Sequence, residues 1–205
     1  MPVLLNTQDA DFEKNFTALL SAKREDSPDV DSSVARIIAD VQQRGDAAVL
    51  DLTEKYDGVA LRAEELQISA AEIEAACAQV GAKERSALEL AAARITAYHE
   101  KQKPEDAYWT DSTGAELGWR WTPISAAGLY VPGGLASYPS SVLMNAIPAK
   151  VAGVSRLSVV VPCPDGILNP LVLLACNIAG VDEVYRIGGA QAIAALAYGT
   201  QTIAP

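Results

Sequence analysis

From Pro123 to its last residue, the sequence alternates short apolar runs with helix-forming segments. The apolar runs have the length of buried strands, and they cover 126–131, 157–161 and 184–187. A helical segment follows each run, over 141–152, 170–178 and 189–197. Ser140 or Ser141 can cap the first of these helices, and Asn169 with Pro170 can begin the second. Strands and helices in this alternation give a parallel sheet with right-handed crossovers.

The pattern therefore predicts an α/β fold, in which a helical N-terminal part precedes a Rossmann-like parallel βαβαβα unit. Half of the 205 residues are hydrophobic, which is enough for a sizeable core. Because the composition changes at Pro123, we expect three regions. They are an N-terminal arm over 1–32, the helical part of a first domain over 33–122 and the α/β domain over 123–205.

Capping signals mark the helices of the first part. Gly45 can end one helix, and Asp46 is placed to cap the next. Ser69 with Glu72 three residues later has the spacing of a capping box. His99, the one histidine, comes at the end of a further helix, where contact with terminal carbonyls is the expected role.

Glycines stand where two of the strands meet the helices that follow them. Gly133 and Gly134 come after the first strand, and Gly188 and Gly189 come after the third. Parallel strands bring such turns to one sheet edge, where helix N-termini bind anions. Tyr130 precedes the first turn, and Gln191 lies in the first turn of an otherwise apolar helix. We interpret these six residues as a ligand site.

The ordinary alternative for each of these residues stays open. The glycines could only permit tight turns, Tyr130 could be a core aromatic and Gln191 could face solvent. The dinucleotide fingerprint G-x-G-x-x-G and the P-loop are both absent from the sequence. Any nucleotide must therefore be held in another way.

Charge and cysteine content exclude several classes of function. The net charge is −10, and residues 1–122 carry 23 acidic against 13 basic side chains. An acidic chain without a basic patch is a poor partner for nucleic acid or an anionic membrane. The three cysteines have no metal-binding spacing and suit a reducing compartment, so we expect a cytoplasmic protein.

Six motifs, taken together, resemble the histidinol dehydrogenase family. Two of them are long, namely Gly-Leu-Tyr-Val-Pro-Gly-Gly at 128–134 and Gly-Gly-Ala-Gln-Ala-Ile-Ala-Ala-Leu at 188–196. The others are shorter and lie at 44–46, 56–58, 142–144 and 148–153. Their order and spacing agree with the family along the chain from about residue 30.

The resemblance implies a homodimeric enzyme that uses zinc and NAD, with a fold similar in outline to that of aldehyde dehydrogenases. Such enzymes oxidise L-histidinol through L-histidinaldehyde to L-histidine, the end of histidine biosynthesis. By the same resemblance, Tyr130 and Gln191 match positions that contact NAD.

Family members are roughly twice as long as this chain, and the resemblance places their zinc ligands and catalytic Glu-His pair beyond Pro205. We therefore expect the chain to supply no catalytic residue and no metal ligand, and to be inactive alone. The alternative is a half-length nucleotide-binding or dimerisation module without catalysis. A general aldehyde dehydrogenase would need a nucleophilic cysteine, and Cys163 between two prolines comes closest.

Overall fold

The computed structural model describes residues 4–23, 28–132 and 138–205. Contacts group the chain into two compact units, 1–37 and 38–205. The helices described are α1 (Phe12–Lys23), α2 (Pro28–Arg44), α3 (Asp46–Asp57), α4 (Ala70–Ala78), α5 (Ala82–Glu100), α6 (Pro139–Ala152), α7 (Pro170–Ile178) and α8 (Gly189–Tyr198). The strands are β1 (Ala107–Thr110), β2 (Glu116–Trp119), β3 (Ala126–Tyr130), β4 (Arg156–Val160) and β5 (Glu183–Tyr185).

Strands β3, β4 and β5 form a parallel sheet in that order, with α6 and α7 as the crossovers. Tyr130 pairs with Val160, and Val160 pairs with Tyr185, so the three strands end level with one another. The segment around Gln67 covers the outer edge of β5 through a bridge to Tyr185. This arrangement confirms the predicted α/β fold, with a helical part followed by a three-stranded parallel sheet.

Two apolar cores lie on the two faces of the sheet, because successive strand residues point in opposite directions. Leu157 and Val159 of β4 belong to the core that contains residues of α5, α6 and α7. Val160 and Tyr185 belong to the other core, which α3 and α8 complete. Helix α8 therefore rests on the sheet face opposite to α6 and α7, with its N-terminus at the carboxyl ends of the strands.

The predicted caps at Asn169 and Ser69 are confirmed, and the predicted cap at Ser140 or Ser141 is wrong. The Asn169 side chain accepts a hydrogen bond from the Leu171 N–H at 2.9 Å and caps α7. Ser69 and Glu72 form the expected capping box of α4. Helix α6, however, starts at Pro139 with Tyr138 as its N-cap rather than at Ser140 or Ser141. Proline is pre-organised for the first helical position, so the helix begins before the serines.

Asp46 was also expected to be an N-cap, and this expectation is wrong. Gly45 occupies the N-cap position of α3 with a φ of 58°, and its lack of a side chain leaves the helix end uncapped locally. The Gln201 side chain, which is remote in sequence, accepts the Asp46 N–H at 2.7 Å instead. The Asp46 carboxylate in turn accepts hydrogen bonds from the backbone N–H and hydroxyl of Thr202. The last residues of the chain thus hold the start of α3.

Glu72 links α4 to the end of β5, and this link makes a testable prediction about acid stability. Besides its capping bonds, Glu72 pairs with Arg186 at 2.5 Å. The Arg186 hydrogen bond is the main reason that the pKa of Glu72 falls to about 2. A folded-state pKa below the unfolded value stabilises the protein above the unfolded pKa, and this contribution disappears as the pH falls towards 2.

We therefore expect Glu72→Gln to lower the free energy of unfolding at pH 7 by about 1 kcal/mol or less, because the pair is half exposed. The difference from the parent should shrink in urea titrations as the pH falls below about 4.5. Glu89→Gln on the exposed side of α5 is the matched control, and it should change neither value. A deficit that stays constant down to pH 2 would contradict the role of the ion pair.

Candidate functional site

The three parallel strands end around the start of α8. Tyr130 is the last residue of β3, Pro162 follows β4 closely, and Gly188 precedes α8 after β5. Gly188 has no room for a side chain, since a Cβ there would lie 2.7 Å from the Pro162 ring. Position 188 therefore requires glycine, because the loop after β4 approaches it closely. The sequence alone did not indicate this contact.

Helix α8 begins at Gly189, whose backbone requires glycine. Its φ is +67°, in the left-handed region that side chains disfavour. The Gly189 N–H donates a hydrogen bond to the Tyr130 hydroxyl at 3.2 Å. Tyr130 remains 37% exposed, so its ring is available at the surface beside the helix start.

Gln191 lies in the first turn of α8 and is only 2% exposed. Its amide lies beside the start of the helix, as the short distance to Gly189 shows. A Cβ added at Gly189 would lie 2.5 Å from the Gln191 Oε1 atom. The alternative that Gln191 only faces solvent is therefore wrong, because the fold buries it beside the glycine turn.

The structure thus brings together four of the six residues that we interpreted as a ligand site. Tyr130, Gly189 and Gln191 adjoin one another, and Gly188 precedes them against Pro162. Gly133 and Gly134 lie outside the described residues. The N-terminus of a ten-residue helix, with its partial positive charge, lies at the centre of this group.

Comparison with known proteins gives this geometry a family context. A sequence model of histidinol dehydrogenase matches residues 20–205 of the chain. The chain belongs to the histidinol dehydrogenase family. It is 72% identical to the histidinol dehydrogenase of Ruegeria pomeroyi and 68% identical to that of Cereibacter sphaeroides, each over all 205 residues. It covers 47% of each of those two relatives, so it spans about half their length.

A solved structure of histidinol dehydrogenase from Elizabethkingia anophelis shares the fold. Its TM-score with this chain is 0.83 at 32% sequence identity. The match covers 88% of this chain and 41% of that one. The α/β architecture described above is therefore the architecture of this part of a histidinol dehydrogenase.

A group of ionisable side chains surrounds the loop after β4, and the sequence had not pointed to it as a group. Asp57 ends α3, and burial raises its pKa. Its Oδ2 atom is buried without a hydrogen-bond partner among the described residues. Cys163 and Arg186 interact electrostatically with one another at the same place. These groups became neighbours only through the packing of α3 on the ends of β4 and β5.

Cys163 has the properties of a packing residue rather than of a nucleophile. It is 3% exposed, and its thiol donates to the Val161 carbonyl at 3.2 Å. Burial raises the pKa of Cys163 to about 12, so the thiol is protonated at neutral pH. Burial also raises the pKa of the other two cysteines, Cys77 and Cys176. All three cysteines are buried, and none of them has the exposed, low-pKa thiol of a nucleophilic cysteine.

Among the described residues, no three His, Cys, Asp or Glu side chains come together in a group that could hold an ion. His99 is half-buried at the end of α5 and contacts the edge of Tyr98, with ring centroids 5.2 Å apart. No helix in the described ranges is long and apolar enough to cross a membrane.

Proposed function

We propose that this chain is the NAD-binding half of a histidinol dehydrogenase. The complete enzyme would be a cytoplasmic homodimer that oxidises L-histidinol through L-histidinaldehyde to L-histidine. Family membership supports the reaction, and the buried Gln191 amide beside the glycine start of α8 supports the place of the cofactor. When bound, NAD would accept a hydride from the substrate.

The residues at the sheet edge have the chemistry that a dinucleotide requires. Gln191 offers both an amide donor and an acceptor from a buried position. The first N–H groups of α8 lack acceptors within the helix and favour a phosphate oxygen nearby. Tyr130 offers a half-exposed ring for a flat group. Gly133 and Gly134, which follow β3 in the sequence, would also belong to the site.

The same residues do not fit zinc or acid–base catalysis. The described residues hold no group of metal ligands, and we assign no catalytic residue to this chain. Zinc, the proton-transferring groups and histidinol would belong to a part of the enzyme that this sequence does not contain.

Gln191→Ala tests the cofactor role in a full-length version of the enzyme. We expect the KM for NAD to rise by about 3- to 10-fold, as the loss of one hydrogen bond implies, with a smaller change for histidinol. Gln43→Ala on the exposed surface of α2 is the matched control, and it should change neither constant. Equal effects on both substrates, or no effect on either, would count against a cofactor contact at Gln191.

The 205-residue chain alone should not oxidise histidinol. Loss of general acid–base catalysis typically costs about 10²–10⁴-fold in rate, and loss of substrate positioning adds to it. NADH formation and bound zinc, measured on the same sample, should both be at background. Turnover that survives removal of any full-length enzyme would overturn our assignment of the catalytic groups.

A second candidate function is a half-length nucleotide-binding or dimerisation module, because the buried Gln191 amide beside the start of α8 could serve a nucleotide without any catalytic group. Two measurements distinguish the module from the enzyme half. One is calorimetric titration of the isolated chain with NAD, and the other is an assay of histidinol oxidation after the remaining half of a close relative is added. A module binds NAD and gains no activity when the remaining half of a close relative is added. An enzyme half recovers histidinol oxidation in that mixture.

A further inference from the structure

The loop after β4 contains a backbone conformation that side chains disfavour. Asp165 has a φ of 55° and a ψ of 22°, in the left-handed region. It is the one residue with a side chain that has a positive φ in the described part of the chain. Gly166 follows it with a φ of 75°. Glycine or asparagine is the usual residue in such a turn, because other side chains come too close to the backbone there.

The surroundings of Asp165 also disfavour a negative charge. A Cβ added at Gly58 would lie 3.6 Å from the Asp165 Oδ1 atom, so the carboxylate lies beside the end of α3. The carboxyl end of a helix carries a partial negative charge, and Asp57 ends this one. The Asp165 side chain is exposed and belongs to none of the ion pairs among the described residues. An acid placed against both backbone and charge preferences points to a role outside the loop itself.

The place of Asp165 in the sheet indicates what that role is. Strand β4 is the second strand of the parallel sheet and lies directly beside β3. In doubly wound sheets that bind dinucleotides, a carboxylate after the second strand accepts a hydrogen bond from the adenosine ribose. The loop that carries Asp165 reaches the candidate site, since Pro162 packs against Gly188 immediately before α8. Asp165 follows Pro162 by three residues.

Other acidic side chains near this edge are already paired or buried. Glu72 pairs with Arg186 at 2.5 Å and caps α4. The Asp57 Oδ2 atom is buried, and burial raises the pKa of this carboxyl. Asp165 is therefore the acid of this group whose carboxylate is open to a ligand.

We propose that Asp165 holds the adenosine ribose of NAD and sets the choice of dinucleotide. Its carboxylate accepts hydrogen bonds from the ribose hydroxyls, and its charge repels the 2′-phosphate of NADP. This assignment rests on the proposed function and deepens it, because it names the residue that selects NAD at the same sheet edge.

A nucleotide that lacks one hydroxyl tests the proposal in a full-length version of the enzyme. 2′-Deoxy-NAD differs from NAD only at the adenosine 2′ position, and calorimetry without histidinol measures the dissociation constant of each. We expect the parent to bind NAD about 5- to 20-fold more tightly, as one hydrogen bond to a charged group implies. Asp165→Gly should bind the two nucleotides equally, and Asp165→Asn should bind NADP more tightly than the parent does. Glu89→Gln on exposed α5 is the control and should keep the preference of the parent.

The melting temperature gives a second readout that needs no nucleotide. In the 205-residue chain, Asp165→Gly should raise the melting temperature by about 1–3 °C, because glycine relieves both the left-handed backbone and the charge beside α3. A residue that serves only the loop would give the opposite sign. A lower melting temperature with an unchanged preference for NAD would assign Asp165 to the loop alone and overturn the proposal.

The binding results separate the ribose contact from the cofactor site as a whole. A preference for the 2′-hydroxyl that disappears in Asp165→Gly supports the proposal. A preference that the parent and Asp165→Gly share would place another group at the ribose and overturn it. No preference in the parent would overturn it as well. The Gln191→Ala experiment is independent of these results, so Asp165 can fail while the proposed cofactor site stands.

Discussion

Replacing Tyr185 by alanine should lower the free energy of unfolding by about 3–5 kcal/mol, the largest effect that we expect from one substitution. Tyr185 is 2% exposed at the end of β5, where it packs in the core formed with α3 and α8. Removing the ring deletes its contacts and leaves a cavity that the rigid sheet cannot fill. Urea unfolding monitored by circular dichroism measures the loss.

Tyr185→Phe is the control that separates the ring from its hydroxyl. Burial, with the Glu183 carboxylate nearby, raises the pKa of Tyr185 to about 12, so the phenol is neutral at pH 7. We expect the phenylalanine variant to lose only about 0.5–1.5 kcal/mol, the contribution of one hydrogen bond. If both variants lost the same amount, the hydroxyl rather than the packed ring would be the source of the stability.

The second large effect should come from Gly189→Ala, which changes the start of α8. A left-handed φ costs a residue with a side chain about 1–2 kcal/mol, and the new Cβ would also displace the Gln191 amide. We expect a total loss of about 2–3 kcal/mol in urea unfolding. The proposed NAD contact should weaken with it, because Gln191 leaves its buried position.

Gly180→Ala isolates the backbone part of this effect. Gly180 has a φ of +68°, but nothing lies within 4 Å of the Cβ that would be added. Its substitution should therefore cost about 1–2 kcal/mol. The double variant Gly189→Ala/Gln191→Ala should recover the excess loss of Gly189→Ala, since the displaced amide is gone. Equal losses at 180 and 189 would show that Gln191 yields freely and is not held at the helix start.

Four of the six residues of the predicted site lie close together because parallel sheets have a fixed geometry. Three strands that run in one direction must end at one edge of the sheet. Tyr130 and the glycines at the start of α8 therefore had to lie close together. The sequence did not predict that Gln191 would be buried, since one polar residue in a short helix can face either way. Nor did it predict that Pro162 would pack against Gly188, because the two residues belong to turns that are far apart in the sequence.

The sequence by itself determined the elements whose signals are local. Apolar runs between turn residues specified the three parallel strands, and Ser69 with Glu72 and Asn169 with Pro170 specified two helix starts, because these residues bond within one turn. Tertiary structure decided what distant groups do for one another. The Gln201 side chain, and not that of Asp46, accepts a hydrogen bond at the start of α3, and Arg186 forms an ion pair with Glu72. Such contacts depend on how elements pack, and packing joins residues that no local spacing relates.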